Sequence, residues 1–309
     1  MSALTGHTGD NAMTLGALVE WGAQRLKTAG VAFGHGTTNA HDEAAWLVLW
    51  RLGLPLDTSL GADDVDSQQN RPVTSAQQAL VAIIFDERIA TRKPAAYLTR
   101  EAWLQGVAFY IDERAIVPRS FIAELIADGG FDDWLGDHTQ QVLDLCTGNG
   151  SLAVLAAMAW PDVHVTGTDI SPDALAVAQI NIEKHHLESR ITLKISDGLA
   201  DAPGPWDLIV CNPPYVNSES MAKLPAEYRA EPALALAGGS DGMDFIRQLL
   251  RDVPARMTEH AVLVLEIGNE RDFFEAEFAQ LPVFWLDTSA GDDQVLLVTR
   301  EALLSVPQF

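Results

Sequence analysis

From Gln141 onward, apolar runs of strand length alternate with helical runs, and no other feature constrains the fold as tightly. QVLDLC, VHVTGTD, ITLKIS, WDLIVC, AVLVLEI, VFWLD and QVLLVT read as strands, with SLAVLAAMAW and SPDALAVAQINIEKHH as helices between the earlier ones. This alternation specifies a parallel sheet with helices on both faces. TSAGDD, between the last two strands, is too short for a helical crossover, so that pair is expected to be antiparallel. The fold class is therefore α/β.

The earlier part of the chain reads as helical. TLGALVEWGAQRLKTAG places Leu15, Leu18, Val19 and Leu26 on one helical face. HDEAAWLVLWRLGLP opens on acids and stops at Gly-Leu-Pro, with Trp46 and Trp50 spaced to enter a core. TSAQQALVAIIFDERIATRKP has Ser or Thr to cap it and a proline beyond it, and the helical unit ends near Pro94. REAWLQGVAFYIDERAIVPRS alternates around Gly106 and reads as a hairpin, and FIAELIADGGFDDWL as a helix leading onward. The expected organisation is a disordered lead over residues 1–12 and a small helical domain over 13–100 that docks substrate. A β-hairpin linker follows over 101–120, and a catalytic domain over 121–309.

Composition narrows the partners. The chain has 20 Lys and Arg against 43 Asp and Glu, a net charge of −23. Affinity for nucleic acid comes mainly from clustered basic residues that neutralise phosphates, so stable DNA binding is not expected. An acidic surface suits a basic protein partner instead. No apolar stretch reaches bilayer-spanning length, and MSALTGHTGDNAM lacks the plan of a secretory signal. The 2 cysteines, Cys146 and Cys211, end apolar runs and read as free buried thiols. A cytoplasmic setting is expected. No metal site is expected: His185 and His186 read as exposed at a helix end, and Asp63, Asp64 and Asp66 lack a calcium-loop pattern.

The first strand leads into LDLCTGNGSLAVLA, where Gly148, Gly150 and Ala153 satisfy G-x-G-x-x-G/A at a strand-to-helix turn. The second strand ends at Asp169, placed to accept bonds from both hydroxyls of a ribose, and Ser171-Pro172 opens the next helix as cap and first residue. The pattern indicates a nucleoside site without saying which nucleoside. Asp144, just before the loop, suits the ammonium of S-adenosylmethionine, and Asp197-Gly198 suits an adenine amine, although Asp-Gly is also a common turn.

The fourth strand leaves through CNPPYV, Cys211 to Val216. Each proline fixes its own φ and restrains the residue before it. The side-chain carbonyl of Asn212 and the backbone carbonyl of Pro213 can then accept both hydrogens of a planar –NH2 group. Pro214 stiffens the turn, and Tyr215 covers the flat face of that group. Positioning of this kind can be worth roughly 7–11 kcal/mol of barrier in the best-oriented cases.

DLCTGNG, the acid of TGTDISPDAL, and NPPY resemble the amino-group methyltransferases that use S-adenosylmethionine. NPPYV followed by LPAEYRAEPALALAGGSDGMDF is similar to the HemK/Prm group, which methylates glutamine side-chain amides in proteins. Within that group, VPRSFIAELI and LPAEYRAEP resemble the ribosomal-protein branch (PrmB). Its substrate is a glutamine of the third protein of the large subunit. The release-factor branch (PrmC) more often has PRPxT where this chain has Pro118-Arg119-Ser120.

The resemblance implies a helical N-terminal domain, a hairpin and a seven-stranded Rossmann-like methyltransferase domain. It implies S-adenosylmethionine as cofactor, held by Asp144, Thr147, Gly148, Gly150, Asp169, Ile170, Asp197, Gly198 and Asn212. It assigns catalysis to Asn212, Pro213, Pro214 and Tyr215, and suggests that Glu231-Pro232 and Ser240-Asp241-Gly242 order the loop over the substrate. Cys146 and Asn149 depart from the usual Gly-Thr-Gly-Ser/Thr-Gly loop, a change expected to affect packing alone. The alternatives are a release-factor glutamine methyltransferase and a DNA adenine amino-methyltransferase, which shares N/D-P-P-Y but needs a basic recognition region.

Overall fold

The computed structural model describes residues 13–61 and 63–306; the lead expected over residues 1–12 lies outside the described residues. The chain divides into two compact units, one ending at Thr99 and the other beginning at Arg100. No helix of the described residues is long and apolar enough to cross a membrane.

The first unit consists of α1 (Leu15–Ala29), α2 (Ala40–Arg51), α3 (Ser75–Thr91) and the short α4 (Ala95–Thr99). Thr14 and Asn39 cap the first two helices through their side chains, and Thr74 forms a reciprocal capping box with Gln77. The predicted apolar face of α1, Leu15, Leu18, Val19 and Leu26, is fully buried against Leu47, Val81 and Phe85. Trp46 and Trp50 are only partly buried and pack on the edge of this core. α4 carries the helical unit beyond Pro94, where the sequence pattern had ended it.

The second unit opens with a hairpin of β1 (Glu101–Leu104) and β2 (Val107–Tyr110), which turn through Gln105 and Gly106. Next comes α5 (Ile122–Asp128), cut shorter than its sequence pattern by the Gly129-Gly130 pair, with a separate turn over Asp132–Trp134. The main sheet is then built from β3 (Gln141–Leu145), α6 (Ser151–Ala159), β4 (His164–Asp169), α7 (Pro172–Lys184), β5 (Ile191–Ile195) and β6 (Trp206–Cys211). It is completed by α8 (Ser218–Lys223), α9 (Asp244–Asp252), β7 (Met257–Glu266), α10 (Arg271–Glu277), β8 (Phe284–Thr288), β9 (Gly291–Thr299) and α11 (Arg300–Ser305).

The sheet has 7 strands in the order β5-β4-β3-β6-β7-β9-β8. β3, β4, β5, β6 and β7 run parallel, and β9 is antiparallel to both neighbours. All seven predicted strands are present, including the antiparallel final pair. Alternate residues of β3 feed two cores: Val142 packs with α5 and α6, while Leu143 and Leu145 pack with α9 and α10. Strand order reverses between β3 and β6, so their carboxyl ends flank the crevice where open α/β sheets bind ligands.

One sequence expectation fails here. His185 is not exposed: its Nε2 lies 3.0 Å from the Ala108 carbonyl, and its ring stacks edge-on with Phe109. Burial against the hairpin lowers its pKa and favours the neutral ring. His186 is exposed, as expected.

Within the first unit, Arg88 is fully buried and donates through Nε to Glu43 Oε1 at 2.8 Å and through Nη2 to the Ala32 carbonyl at 2.9 Å. Removing one partner of a buried ion pair leaves a desolvated charge and typically costs about 3–5 kcal/mol. Glu43→Ala is expected to lose stability on that scale in urea unfolding. A change below about 1 kcal/mol would show that the pair is not a determinant of this unit.

Candidate active site

β3 delivers Asp144 and then turns through Cys146, Thr147, Gly148, Asn149 and Gly150 into α6. Asp144 is fully buried. Its Oδ2 accepts from Thr147 Oγ1 at 2.5 Å and from the Ala153 amide at 2.9 Å, while its Oδ1 is buried without a hydrogen-bond partner. Burial pushes the carboxyl up to about 7, against the Thr147 and Ala153 bonds that favour the charged form. Gly150 has φ +79°, and a Cβ there would lie 3.0 Å from that of Ala178, so the loop packs directly on α7.

The departures in this loop do more than alter packing. Cys146 has φ +62°, a left-handed conformation that disfavours side chains bearing Cβ. Asn149 bridges outward: its Nδ2 donates to the Ile116 carbonyl at 2.8 Å and its Oδ1 accepts from the Ser151 amide at 2.9 Å. Asn181 of α7 adds a second bridge, donating to the Asn149 carbonyl at 2.9 Å and exchanging bonds with the Tyr110 backbone at 2.7 and 3.0 Å. The glycine loop is thereby bolted to the hairpin and to the segment after it.

Asp169 ends β4 beside this loop. Its Oδ2 accepts from the Gly148 amide at 2.9 Å and its Oδ1 from the Ser171 amide at 2.8 Å, and Ser171 caps α7 through Ala174. Burial raises the pKa of Asp169, and these backbone bonds oppose the rise. Ile170, next in sequence, is 46% exposed, a large apolar side chain left open beside the acid. Asp197 follows β5 with its side chain exposed and, among the described residues, without a hydrogen bond; a Cβ on Gly198 would lie 3.8 Å from the Phe245 ring. Asp144, Thr147, Gly148, Gly150, Asp169, Ile170, Asp197 and Gly198 therefore all lie at or just beyond the carboxyl ends of three adjacent strands.

On the other side of the crevice, β6 is buried along its whole length and ends at Cys211, which pairs with Leu145 of β3. Asn212 is the first residue out and is half-buried. Among the described residues, neither its side chain nor the Pro213 carbonyl has a hydrogen-bond partner. Tyr215 is held tightly. Its hydroxyl donates to Glu266 Oε1 at 3.2 Å, and a Cβ on Gly268 would stand 2.3 Å from its ring, so only glycine fits there. Val216 then pairs with the returning chain, its amide donating to the Leu236 carbonyl at 2.8 Å and its carbonyl accepting from Gly238 at 2.9 Å.

Two buried carboxylates organise this side. Glu266, at the end of β7, also accepts from Ser120 Oγ at 2.5 Å and the Phe121 amide at 2.9 Å through Oε2. Burial raises its pKa, opposed by these donors. Glu231 takes a two-point contact from Arg119 at 2.6 and 2.7 Å and the Val117 amide at 3.0 Å. Glu231 was flagged in the sequence only by family likeness. Glu266 was missed, and its one signal is an acid closing the apolar run AVLVLEI. Asp241 accepts from the Met243 amide in the turn that precedes α9 and is paired with Arg247. Among the described residues no cluster of three His, Cys, Asp or Glu side chains is gathered to hold a metal.

Known proteins resemble this chain in sequence and in fold. Residues 131–229 match the Methyltransferase small domain family. Among solved structures, the catalytic domain of hMettl16 in complex with MAT2A 3′UTR hairpin 1 is 14% identical and superposes over 76% of this chain and 83% of that one, with a TM-score of 0.50. That likeness concerns the fold alone. The ribosomal protein uL3 glutamine methyltransferase of Bordetella pertussis is 50% identical over 293 residues, covering 94% of this chain and 96% of its own. Its namesakes in Burkholderia pseudomallei and Neisseria meningitidis serogroup B are 47% and 45% identical, over 95% and 94% of this chain and 96% and 94% of theirs. Identity of this degree across nearly the full length places the chain in the ribosomal protein uL3 glutamine methyltransferase family.

Proposed function

We propose that this chain transfers a methyl group from S-adenosylmethionine to the side-chain amide nitrogen of a glutamine in ribosomal protein uL3. The observation that carries the reading is Asn212. It stands at the switch point, at the end of a fully buried strand, with its side chain and the adjacent Pro213 carbonyl both unpartnered among the described residues. Two spare acceptors held by a rigid turn suit the two N–H bonds of a primary amide. The release-factor reading loses ground because relatives that share 42–50% of their residues with this chain carry the uL3 name.

The residues at the glycine loop fit S-adenosylmethionine. Oδ1 of Asp144 is a buried acceptor left over for an ammonium, Asp169 sits where ribose hydroxyls would be met, and Asp197 is free to accept from the adenine amine beside Ile170. When bound, this cofactor supplies an electrophilic methyl group. Everything else is positioning. An amide nitrogen is a poor nucleophile because its lone pair is delocalised into the carbonyl. Asn212 and Pro213 hold both N–H bonds and draw proton density away as the new bond forms, while Tyr215, fixed by Glu266, covers the flat face of the amide. One proton leaves the nitrogen for water as the methylamide forms. The helical first unit is assigned to docking the substrate protein, and the net charge of −23 favours capture of a basic one.

Three measurements test this reading. Purified protein with tritiated S-adenosylmethionine is expected to place acid-stable label on a glutamine of uL3, less efficiently as salt is added. Label on release factor or DNA alone would refute the substrate. Asn212→Ala is expected to lower methylation about 10²-fold or more and cofactor affinity far less, because its main role is at the amide; equal loss of both would make Asn212 a cofactor residue alone.

The third concerns Asp144. Its folded-state pKa of about 7 lies above the ordinary 3.8, so the protonated form favours folding. Its contribution to stability is full below about pH 4 and is lost as pH rises through about 7. Asp144→Asn keeps the oxygen that Thr147 and Ala153 use but does not titrate. Its cofactor-free melting temperature is expected to lack that decline and its cofactor affinity to fall. Superimposable pH profiles of wild type and variant would show that Asp144 is not held in this state.

A further inference from the structure

Residues 116–121 bond three loops at once. The Ile116 carbonyl accepts from Asn149 of the glycine loop at 2.8 Å. Ser120 and Phe121 donate to Glu266, which holds Tyr215. Between these two attachments, Val117 and Arg119 together place three donors on Glu231. Glu231 belongs to the 224–236 loop, which follows α8 and returns to pair with Val216, directly after NPPY. The Glu231 side chain is fully buried, whereas the surface of the same loop is open: Leu234 is 59% exposed and Arg229 is exposed. The Arg119 guanidinium also lies over the Tyr228 ring, 5.4 Å from its centroid.

We propose that Arg119 is a specificity-determining positioning residue: its two-point pair with Glu231 fixes the 224–236 loop beside the amide grip, where the polypeptide flanking the target glutamine lies. This rests on the glutamine methyltransferase reading. A glutamine whose amide is held at Asn212 and Pro213 has its backbone emerging past Tyr215 and Val216. The strand-like contact of Val216 with Leu236 and Gly238 makes the 224–236 loop the neighbouring surface. Among the described residues, Arg119 makes no hydrogen bond to Asn212, Pro213, Tyr215 or the glycine loop; its charge acts on Tyr215, but Arg119→Lys keeps that charge, so the effect of the variant on the reaction passes through loop position. The contact is geometrically demanding, because a planar guanidinium reaches both carboxylate oxygens and a lysine ammonium cannot.

The test is Arg119→Lys, read by steady-state methylation of uL3 and by limited trypsin cleavage after the exposed Arg229. KM for uL3 is expected to rise about tenfold and cleavage to accelerate, with kcat and the S-adenosylmethionine dissociation constant within about twofold of wild type. Glu231→Gln should reproduce both effects, and the double variant should be no worse than either single one, since all three break one contact. An unchanged KM overturns the proposal. So does a parallel fall of kcat, cofactor affinity and melting temperature, which marks a purely structural residue. A wild-type chain that fails to label uL3 refutes the parent reading and the KM assignment with it; cleavage after Arg229 then reads the loop anchor separately.

Discussion

The NPPY side of the crevice hangs on one carboxylate. Glu266 closes a fully buried stretch of β7, and its two oxygens take donors from three residues distant in sequence: Ser120, Phe121 and Tyr215. A carboxylate removed from water is costly unless hydrogen bonds satisfy it, so the three contacts stand or fall together. Glu266 therefore makes the orientation of the Tyr215 ring depend on the segment after the hairpin. Gly268, two residues further along the same chain, leaves the ring the room it occupies.

The glycine-loop side follows the same logic with different parts. Asp144 faces into the glycine loop rather than outward, and one of its oxygens sets the loop by taking both the Thr147 hydroxyl and an amide of α6. The loop accepts a left-handed Cys146 and is bridged by Asn149 to Ile116. Both acids are displaced toward protonation by burial, a state that structural surfaces rarely maintain and that active sites often do. The two sides meet across β3 and β6, adjacent strands with fixed register, so their distance is set by the sheet and not by loops. Rigid placement of this sort is what a reaction without a strong base requires.

Much of this was legible in the chain. Period and length alone placed every strand of the main sheet, because the central strands are buried apolar runs and each strand, the more exposed edges β5 and β8 included, is bounded by a helix or a turn. The glycine loop, Asp169 and the two prolines announced themselves because backbone chemistry dictates residue type at those positions. His185 misled because its partner, the Ala108 carbonyl, lies on the hairpin and leaves no mark at helix spacing. Glu266 was invisible for a related reason: a glutamate ending an apolar strand reads as the start of a solvated turn until its three donors are brought to it.

By itself the sequence determined the architecture and the kind of chemistry, since hydrophobic period, turn residues and the NPPY exit are local properties. Tertiary structure alone decided how that chemistry is held. Asn149, Glu231 and Glu266 reach partners 33, 112 and 146 residues away, and no local pattern encodes such pairings. They arise because the sheet order brings the end of β7 and the return of the 224–236 loop against the short segment that follows the hairpin. Buried carboxylates and hydrogen-bond donors that are distant in sequence become a site only when the fold removes the water between them.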